Sequence, residues 1–285
     1  MMRSLKGSSR AVNRRVARPT RARLRDWFDT PLGRSLQAVE AHGLRGVLPS
    51  LYGTVALQLG KLGKLDLLDA CIAPTRVVVE EDEAWFRSDC PVERQLTGAR
   101  TVGVRSFAYS LPLDERSVDV ALLPHTLDFT TEPHRVLREV SRVLRPEGHV
   151  VVLGFNPWSS WGLCRLFARH TGQPPWSAHF FRLARVKDWL ALLDLEFTQG
   201  RMLYYRPPFR REATMDRFYF LEQAGDRWWP MMAAVYLIVA KKRVPGMTPL
   251  PVEWKTEKRV GLAAKPAVFG QVRRSWYQRV RRDAR

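Results

Sequence analysis

His125 and Asp128 stand three residues apart in Pro124-His125-Thr126-Leu127-Asp128-Phe129, directly after the apolar run Val118 to Leu123. An imidazole titrates near neutrality, so His125 can take a proton from a hydroxyl or amine nucleophile while Asp128 orients its ring. The pair has a plainer alternative, in which His125 caps backbone at a strand end and Asp128 stays in water. A second group of residues lies earlier. Gly60 closes Val55-Ala56-Leu57-Gln58-Leu59, Gly63 follows it, and Glu80 and Glu81 end the run Arg76 to Val79. Glycine in such a turn lets backbone approach a ligand, and a carboxylate about twenty residues later is where doubly wound folds bind ribose hydroxyls. Against that, Glu80 to Glu83 also reads as a solvated acidic run. A third group is Phe155-Asn156-Pro157-Trp158, where Asn156 and Trp158 can line a substrate pocket, whereas Trp161 reads better as the buried side of a helix. The cysteines, Cys71, Cys90 and Cys164, have no metal-ligand spacing and are odd in number, which argues against zinc and against a disulfide scaffold.

The elements that must position these groups are clearest from Phe107 to Phe155. A charged turn at Asp114-Glu115-Arg116 leads into a strand over Val118 to Leu123. Pro133 marks the start of a helix, with Thr130, Thr131 and Glu132 as capping candidates, and Val136, Leu137, Val140, Val143 and Leu144 recur at helical spacing. Pro146 and Gly148 stop it, and Val150 to Leu153 form a second strand. A strand, a helix and a strand joined at that length imply a parallel pair with a right-handed crossover. Upstream, Asp29 or Thr30 before Pro31 starts a helix with Leu32, Leu36, Val39 and Leu44 inward. Leu65 to Ala70 is the expected first crossover helix, and Thr101 to Val104 a short third strand. Downstream, a helix is expected over 182–193, a strand over 195–205, a polar aromatic helix from about 212 to 227 and a last apolar strand over 232–241.

Several of these residues form a recognisable set: Leu111-Pro112-Leu113, Ser117-Val118-Asp119-Val120, Glu139-Val140-Ser141-Arg142-Val143-Leu144 and Arg145-Pro146-Glu147-Gly148. The set resembles the second half of a class I S-adenosylmethionine-dependent methyltransferase of the type 11-like, small-molecule kind, and Gly154 to Gly162 resembles a divergent bacterial branch of it. The resemblance spans roughly residues 30 to 243. It implies a Rossmann-like, doubly wound α/β fold with a mostly parallel sheet and an antiparallel edge strand. It also implies S-adenosyl-L-methionine as cofactor, held near Leu59, Gly60, Gly63, Glu80, Phe107, Ala108 and Pro124, and methyl transfer to a small-molecule acceptor. Gln58 stands where the family usually has an acid, Leu62 where it has its second glycine, and Phe107 where an Asp meets the adenine amine. A non-catalytic binding or scaffold protein on the same fold is therefore the alternative.

Charge adds a third function class. The net charge is +19, and residues 1–25 carry nine basic side chains and no acid, while 255–285 carry ten basic and two acidic ones. The body between them is nearly neutral. The expected organisation is thus a basic, disordered arm at 1–25, a methyltransferase-like domain at 26–243 and an irregular basic tail at 244–285. Such ends can bind nucleic acid, as Trp276 and Tyr277 among the tail arginines also suggest. No run of eighteen apolar residues occurs, so no membrane span is expected, and the cysteine usage points to the cytoplasm.

Overall fold

The computed structural model describes residues 21–243, apart from 89–93, 97–98, 210–213, 215–216 and 219. Residues 1–20 and the 244–285 tail, with most of the basic charge on which the nucleic-acid expectation rests, lie outside the described residues, as does Cys90.

The sheet has eight strands: β1 Val55–Leu59, β2 Thr75–Glu80, β3 Arg94–Leu96, β4 Ala99–Arg105, β5 Val118–Pro124, β6 Leu144–Phe155, β7 Leu195–Leu203 and β8 Val235–Lys242. Their order is β3-β4-β2-β1-β5-β6-β8-β7. The five strands β4, β2, β1, β5 and β6 are mutually parallel. Two strands break the pattern. β8 runs antiparallel between β6 and β7, and the three-residue β3 runs antiparallel to β4 at the opposite edge. Among the described residues the α-helices are α1 Arg21–Phe28, α2 Pro31–Arg45, α3 Glu83–Ser88, α4 Thr126–Phe129, α5 Pro133–Val143, α6 Ser160–Ala168, α7 Leu183–Ala191 and α8 Phe220–Trp228.

Alternation along the strands divides the core into two layers. Ala56, Val120, Leu122, Val151, Leu153 and Val239 face the layer of α1, α2 and Trp161, whereas Leu57, Leu123, Val150, Val152 and Ile238 face that of α5 and α7. Helix α5 earns its place through Val136, Leu137, Val140 and Val143, all fully buried, each worth roughly 1.5–3 kcal/mol of transfer free energy. The recognisable residues act as fasteners. Glu139 accepts the Leu111 N–H at 2.9 Å, and Arg142 donates to the carbonyls of Leu111 at 3.1 Å and Leu113 at 3.0 Å, so the Glu-x-x-Arg pair holds the turn before β5. Asp119 ties the start of β5 to β1 by accepting from the backbone of Thr54 at 2.8 Å and Val55 at 3.0 Å.

Two sequence expectations need correction. Residues 60–74, which join β1 to β2, contain turns and bends but no helix. The apolar residues there, Leu67 and Leu68, are buried with Cys71 and Ala73 in a compact turn, and Pro74 leaves too few residues for a helix to repay its nucleation. At the front of the domain, residues 21–25 are helical rather than part of an unstructured arm. Leu24 and Phe28, four apart, are buried together, and Arg25 forms an ion pair with Asp82.

Candidate functional site

Ligands of open α/β sheets bind beyond the carboxyl ends of the strands, where the order reverses, here between β1 and its neighbours β2 and β5. At the end of β1 the chain turns at Gly60, whose φ of 93° is available to glycine without strain. The Gly60 N–H donates to the Val79 carbonyl at 2.8 Å, and the next amide, Lys61, donates to Glu80 Oε2 at 2.9 Å. Glu80 is 1% exposed, and its Oε1 accepts from the amides of Glu81 at 2.9 Å and Asp82 at 3.4 Å. The carboxylate therefore joins the turn after β1 to the loop after β2. It is a buried acceptor rather than a member of a solvated run.

The remaining turn is fixed from three sides. Gln58 donates its amide to the Gly60 carbonyl at 2.8 Å, and Thr126 donates its hydroxyl to the Leu59 carbonyl at 2.6 Å. Gln37 of α2 donates to the Leu62 carbonyl. Leu62, in the position of the family's second glycine, sends its side chain into the α2 layer, while Leu59 and Ala108 pack in the opposite one. Gly63 has φ of 55° and lies so close to Gln37 that an added Cβ would stand 2.5 Å from Oε1. Beyond β4, Ala108 is buried and Phe107 is half exposed, its ring stacked on Tyr109 with centroids 5.1 Å apart. Leu59, Gly60, Glu80 and Pro124 thus meet at the ends of three adjacent strands, with Phe107 and Ala108 to one side after β4.

His125 occupies a different setting from the one its sequence context suggests. It has φ of 50° and is completely buried, with Nδ1 at 2.9 Å from Asp128 Oδ2 and Nε2 at 2.8 Å from Glu40 Oε1. The Phe155 ring stacks on it at 4.1 Å. Burial alone would lower the imidazolium pKa, but the facing charges and hydrogen bonds of Glu40 and Asp128 outweigh it and push the pKa up to about 9. A protonated ring that donates from both nitrogens has no lone pair for a substrate proton. Asp128 is itself held above the ordinary carboxylate range, because burial disfavours its charge, and it also accepts the Phe155 N–H at 3.0 Å. Glu40, 85 residues from His125 in sequence, is the partner that local reading misses. One signal did exist: Glu40 lies on the stripe Leu32, Leu36, Leu44, where a carboxylate has no reason to be unless something inside binds it.

Asn156 is likewise committed. Its Nδ2 donates to the carbonyls of Met231 at 2.8 Å and Ala233 at 2.9 Å, and its Oδ1 accepts the Trp158 N–H at 3.0 Å. Trp158 is exposed, with the Arg182 guanidinium 5.0 Å above its ring. Beside it opens a cavity of about 490 Å³ lined by Pro157, Phe180, Phe181, Arg182 and Arg185 among others. A second, of about 320 Å³, lies between Trp27, Pro31 and Trp176. No cluster of three or more His, Cys, Asp or Glu suited to a metal occurs among the described residues.

Residues 90–152 match the family profile described as a methyltransferase domain, a stretch that runs from before β3 through most of β6. The Escherichia coli K12 protein YafS, itself described as uncharacterised, is 30% identical over 232 residues, which cover 81% of this chain and 86% of YafS. The chain belongs to the class I methyltransferase family, in its YafS-like branch. Among solved structures, this methyltransferase-family chain superposes on an S-adenosylmethionine-dependent methyltransferase of Thermotoga maritima, described as a possible histamine N-methyltransferase. The TM-score is 0.52 at 16% identity, over 76% of this chain and 93% of that one. Geranyl diphosphate C-methyltransferase from Streptomyces coelicolor, solved with Mg2+, geranyl diphosphate and S-adenosyl-L-homocysteine, gives 0.52 at 16% identity over 73% and 80%. These likenesses establish a shared fold. The Gly60 turn and Glu80 lie outside the residues matched by the family profile, whereas Phe107, Ala108 and Pro124 lie inside them.

Proposed function

We propose that the chain binds S-adenosyl-L-methionine at the ends of β1, β2 and β4 and transfers its methyl group to a small-molecule acceptor. The observation that carries this reading is the buried Glu80 carboxylate behind the positive-φ turn at Gly60. The donor set suits an adenosyl group. A carboxylate at the end of the second strand is where doubly wound folds bind ribose hydroxyls, and Glu80 stands there, while the exposed Phe107 face can stack on adenine. When bound, that cofactor supplies an electrophilic methyl group; the chain's own residues orient and exclude water. Gly60 and Gly63 admit backbone to the methionine end, and Pro124 closes the site at β5. Trp158 meets the acceptor in this reading, supported by its exposure, while Asn156 anchors its loop.

His125 and Asp128 act in this scheme as positioning residues. With Glu40 they lock α2 against the ends of β5 and β6, and no proton passes through them, because alignment of nucleophile and methyl carbon can suffice for such a transfer. The test is titration calorimetry of the full chain with S-adenosylmethionine and S-adenosylhomocysteine. One equivalent should bind, and Glu80→Gln should weaken binding about 10- to 100-fold through loss of charge-assisted hydrogen bonds. Absence of binding at millimolar ligand overturns the proposal.

A second reading, a binding or scaffold protein without turnover, is favoured by the helix-free crossover at residues 60–74. Ligand binding without methyl transfer to any acceptor separates it from the first. Nucleic-acid association rests on the basic ends and predicts salt-sensitive binding that is lost when residues 1–20 and 255–285 are removed. A cytoplasmic setting completes the proposal, supported by free thiols at Cys71 and Cys164. No helix among the described residues is long and apolar enough to cross a membrane.

A further inference from the structure

The methyl-transfer reading leaves one conspicuous surface unused. Helix α6 is anchored on one side by Trp161, which is fully buried and donates its indole N–H to the Arg206 carbonyl at 3.0 Å. At 100° per residue, Leu163, Leu166 and Phe167 point the opposite way. They are exposed by 59%, 57% and 79%. Trp228, Trp229 and Met231, at and just beyond the end of α8, are exposed to a similar degree. Asn156 brings the two stretches together. Its side chain holds the Met231 carbonyl at 2.8 Å, while its own carbonyl accepts the hydroxyl of Ser159, the N-cap of α6, at 2.7 Å. Large apolar side chains gathered in this way on a folded domain mark a contact site rather than chance exposure.

Charge identifies what this face meets. From Gly148 to Lys187 the sequence contains no Asp or Glu; Arg169 is the C-cap of α6 and Arg182 lies over the ring of Trp158 just before it, and Trp228 to Arg243 is also free of acids. Glu222 of α8 is engaged by Arg206 at 3.0 Å. Six further basic residues precede α1, and α1 is itself tied to α6 by the edge-to-face contact of Trp27 with Trp161. The combination of Trp, Phe, Leu and Met with arginines and no acid fits the interface of an anionic bilayer, where indoles sit at headgroup depth and basic side chains meet phosphates.

We propose that this face, formed by α6 and the segment from Trp228 to Met232, docks peripherally on an anionic lipid surface. The proposal is independent of cofactor binding and methyl transfer. It sets the carboxyl end of β6 and the start of β8 toward the lipid. At the other end of β8, Lys241 pairs with His149 and Lys242 with Leu195.

The test is co-sedimentation of the full chain with vesicles of phosphatidylglycerol and phosphatidylcholine, against vesicles of phosphatidylcholine alone. The expected result is binding to the anionic vesicles that weakens with salt, with quenching of tryptophan emission by brominated lipid. The exposed substitutions Leu163→Ser, Leu166→Ser and Phe167→Ser, made together, should reduce partitioning roughly tenfold or more while the circular dichroism spectrum is unchanged. Trp228→Gln with Trp229→Gln should do the same from the second stretch and abolish the quenching. The proposal is overturned if the full chain ignores anionic vesicles. It is also overturned if both variants bind as tightly as the parent, which would assign binding to the basic ends alone, or if the variants instead dissociate a dimer, which would make the occupant a second copy of the chain.

Discussion

Replacing Glu40 by Gln keeps the shape of the side chain and removes one of the two charges that hold His125 protonated. The His125 pKa rises on folding from 6.5 to about 9, a difference worth about 3 kcal/mol. A group whose pKa is raised in the folded state contributes its stability below the unfolded value and loses it as pH rises through the folded one. The contribution of His125 should therefore be complete below pH 6.5 and gone above about pH 9. Asp128, also raised, acts in the same direction from the carboxylate range upward. Urea unfolding of the full chain at pH 6 and pH 9.5 should show the parent losing about 3 kcal/mol across that window. In Glu40→Gln the starting stability at pH 6 should be lower by about 3–5 kcal/mol, the usual consequence of breaking a buried ion pair, and the decline with pH should be shallower by more than half. Comparing the two proteins cancels the titration of Cys71, Tyr204 and Tyr236. A parent whose stability is flat from pH 6 to 9.5, or a variant that reproduces the full decline, refutes the buried imidazolium.

Three other outcomes follow from the same geometry. Gly63→Ala should lower the thermal midpoint, because it puts a Cβ on a left-handed residue at about 1–2 kcal/mol and forces it against Gln37; scanning calorimetry with a Gln37→Ala companion should show part of the loss relieved. Asn156→Ala leaves the carbonyls of Met231 and Ala233 without their donor and should cost about 1–3 kcal/mol, read by chemical denaturation. Arg142→Lys retains charge but loses the two-nitrogen grip of Nε and Nη2 on the Glu139 carboxylate that aims Nη2 at the Leu111 and Leu113 carbonyls, so hydrogen exchange should accelerate in the turn before β5 while α7 is unaffected.

What the sequence made legible was local. Strands β5 and β6 with α5 between them appear as an apolar run, a proline start and a helical period, and the structure places them within a few residues of those signals. The end of β2 at Glu80 was equally readable from the run of valines before it, whereas the burial of its carboxylate was not, because Glu80 to Glu83 reads as well as a solvated acidic run. The pieces that were not legible depend on contacts between distant segments. Helix α1 was hidden by arginines that mimic an unstructured arm, and only the spacing of Leu24 and Phe28 betrayed it. The burial and pairing of His125 and Asp128 were not legible because their neighbour Glu40 sits on α2, 85 residues from His125. Leu65 to Ala70 reads as a helix because the resemblance implies a crossover helix there, although the buried Leu67 and Leu68 fit a compact turn better.

The placement of β8 has a consequence for how the molecule is made. Among the described residues it is the last strand in sequence yet second from the sheet's end, and β7 pairs there with β8 alone. While the chain is still emerging from the ribosome, one flank of β6 and the whole of β7 must wait with their amides and carbonyls unpaired. A polypeptide that stops short of Val235 would display that adhesive edge to its neighbours, so premature termination late in translation should yield aggregates rather than a slightly smaller functional protein.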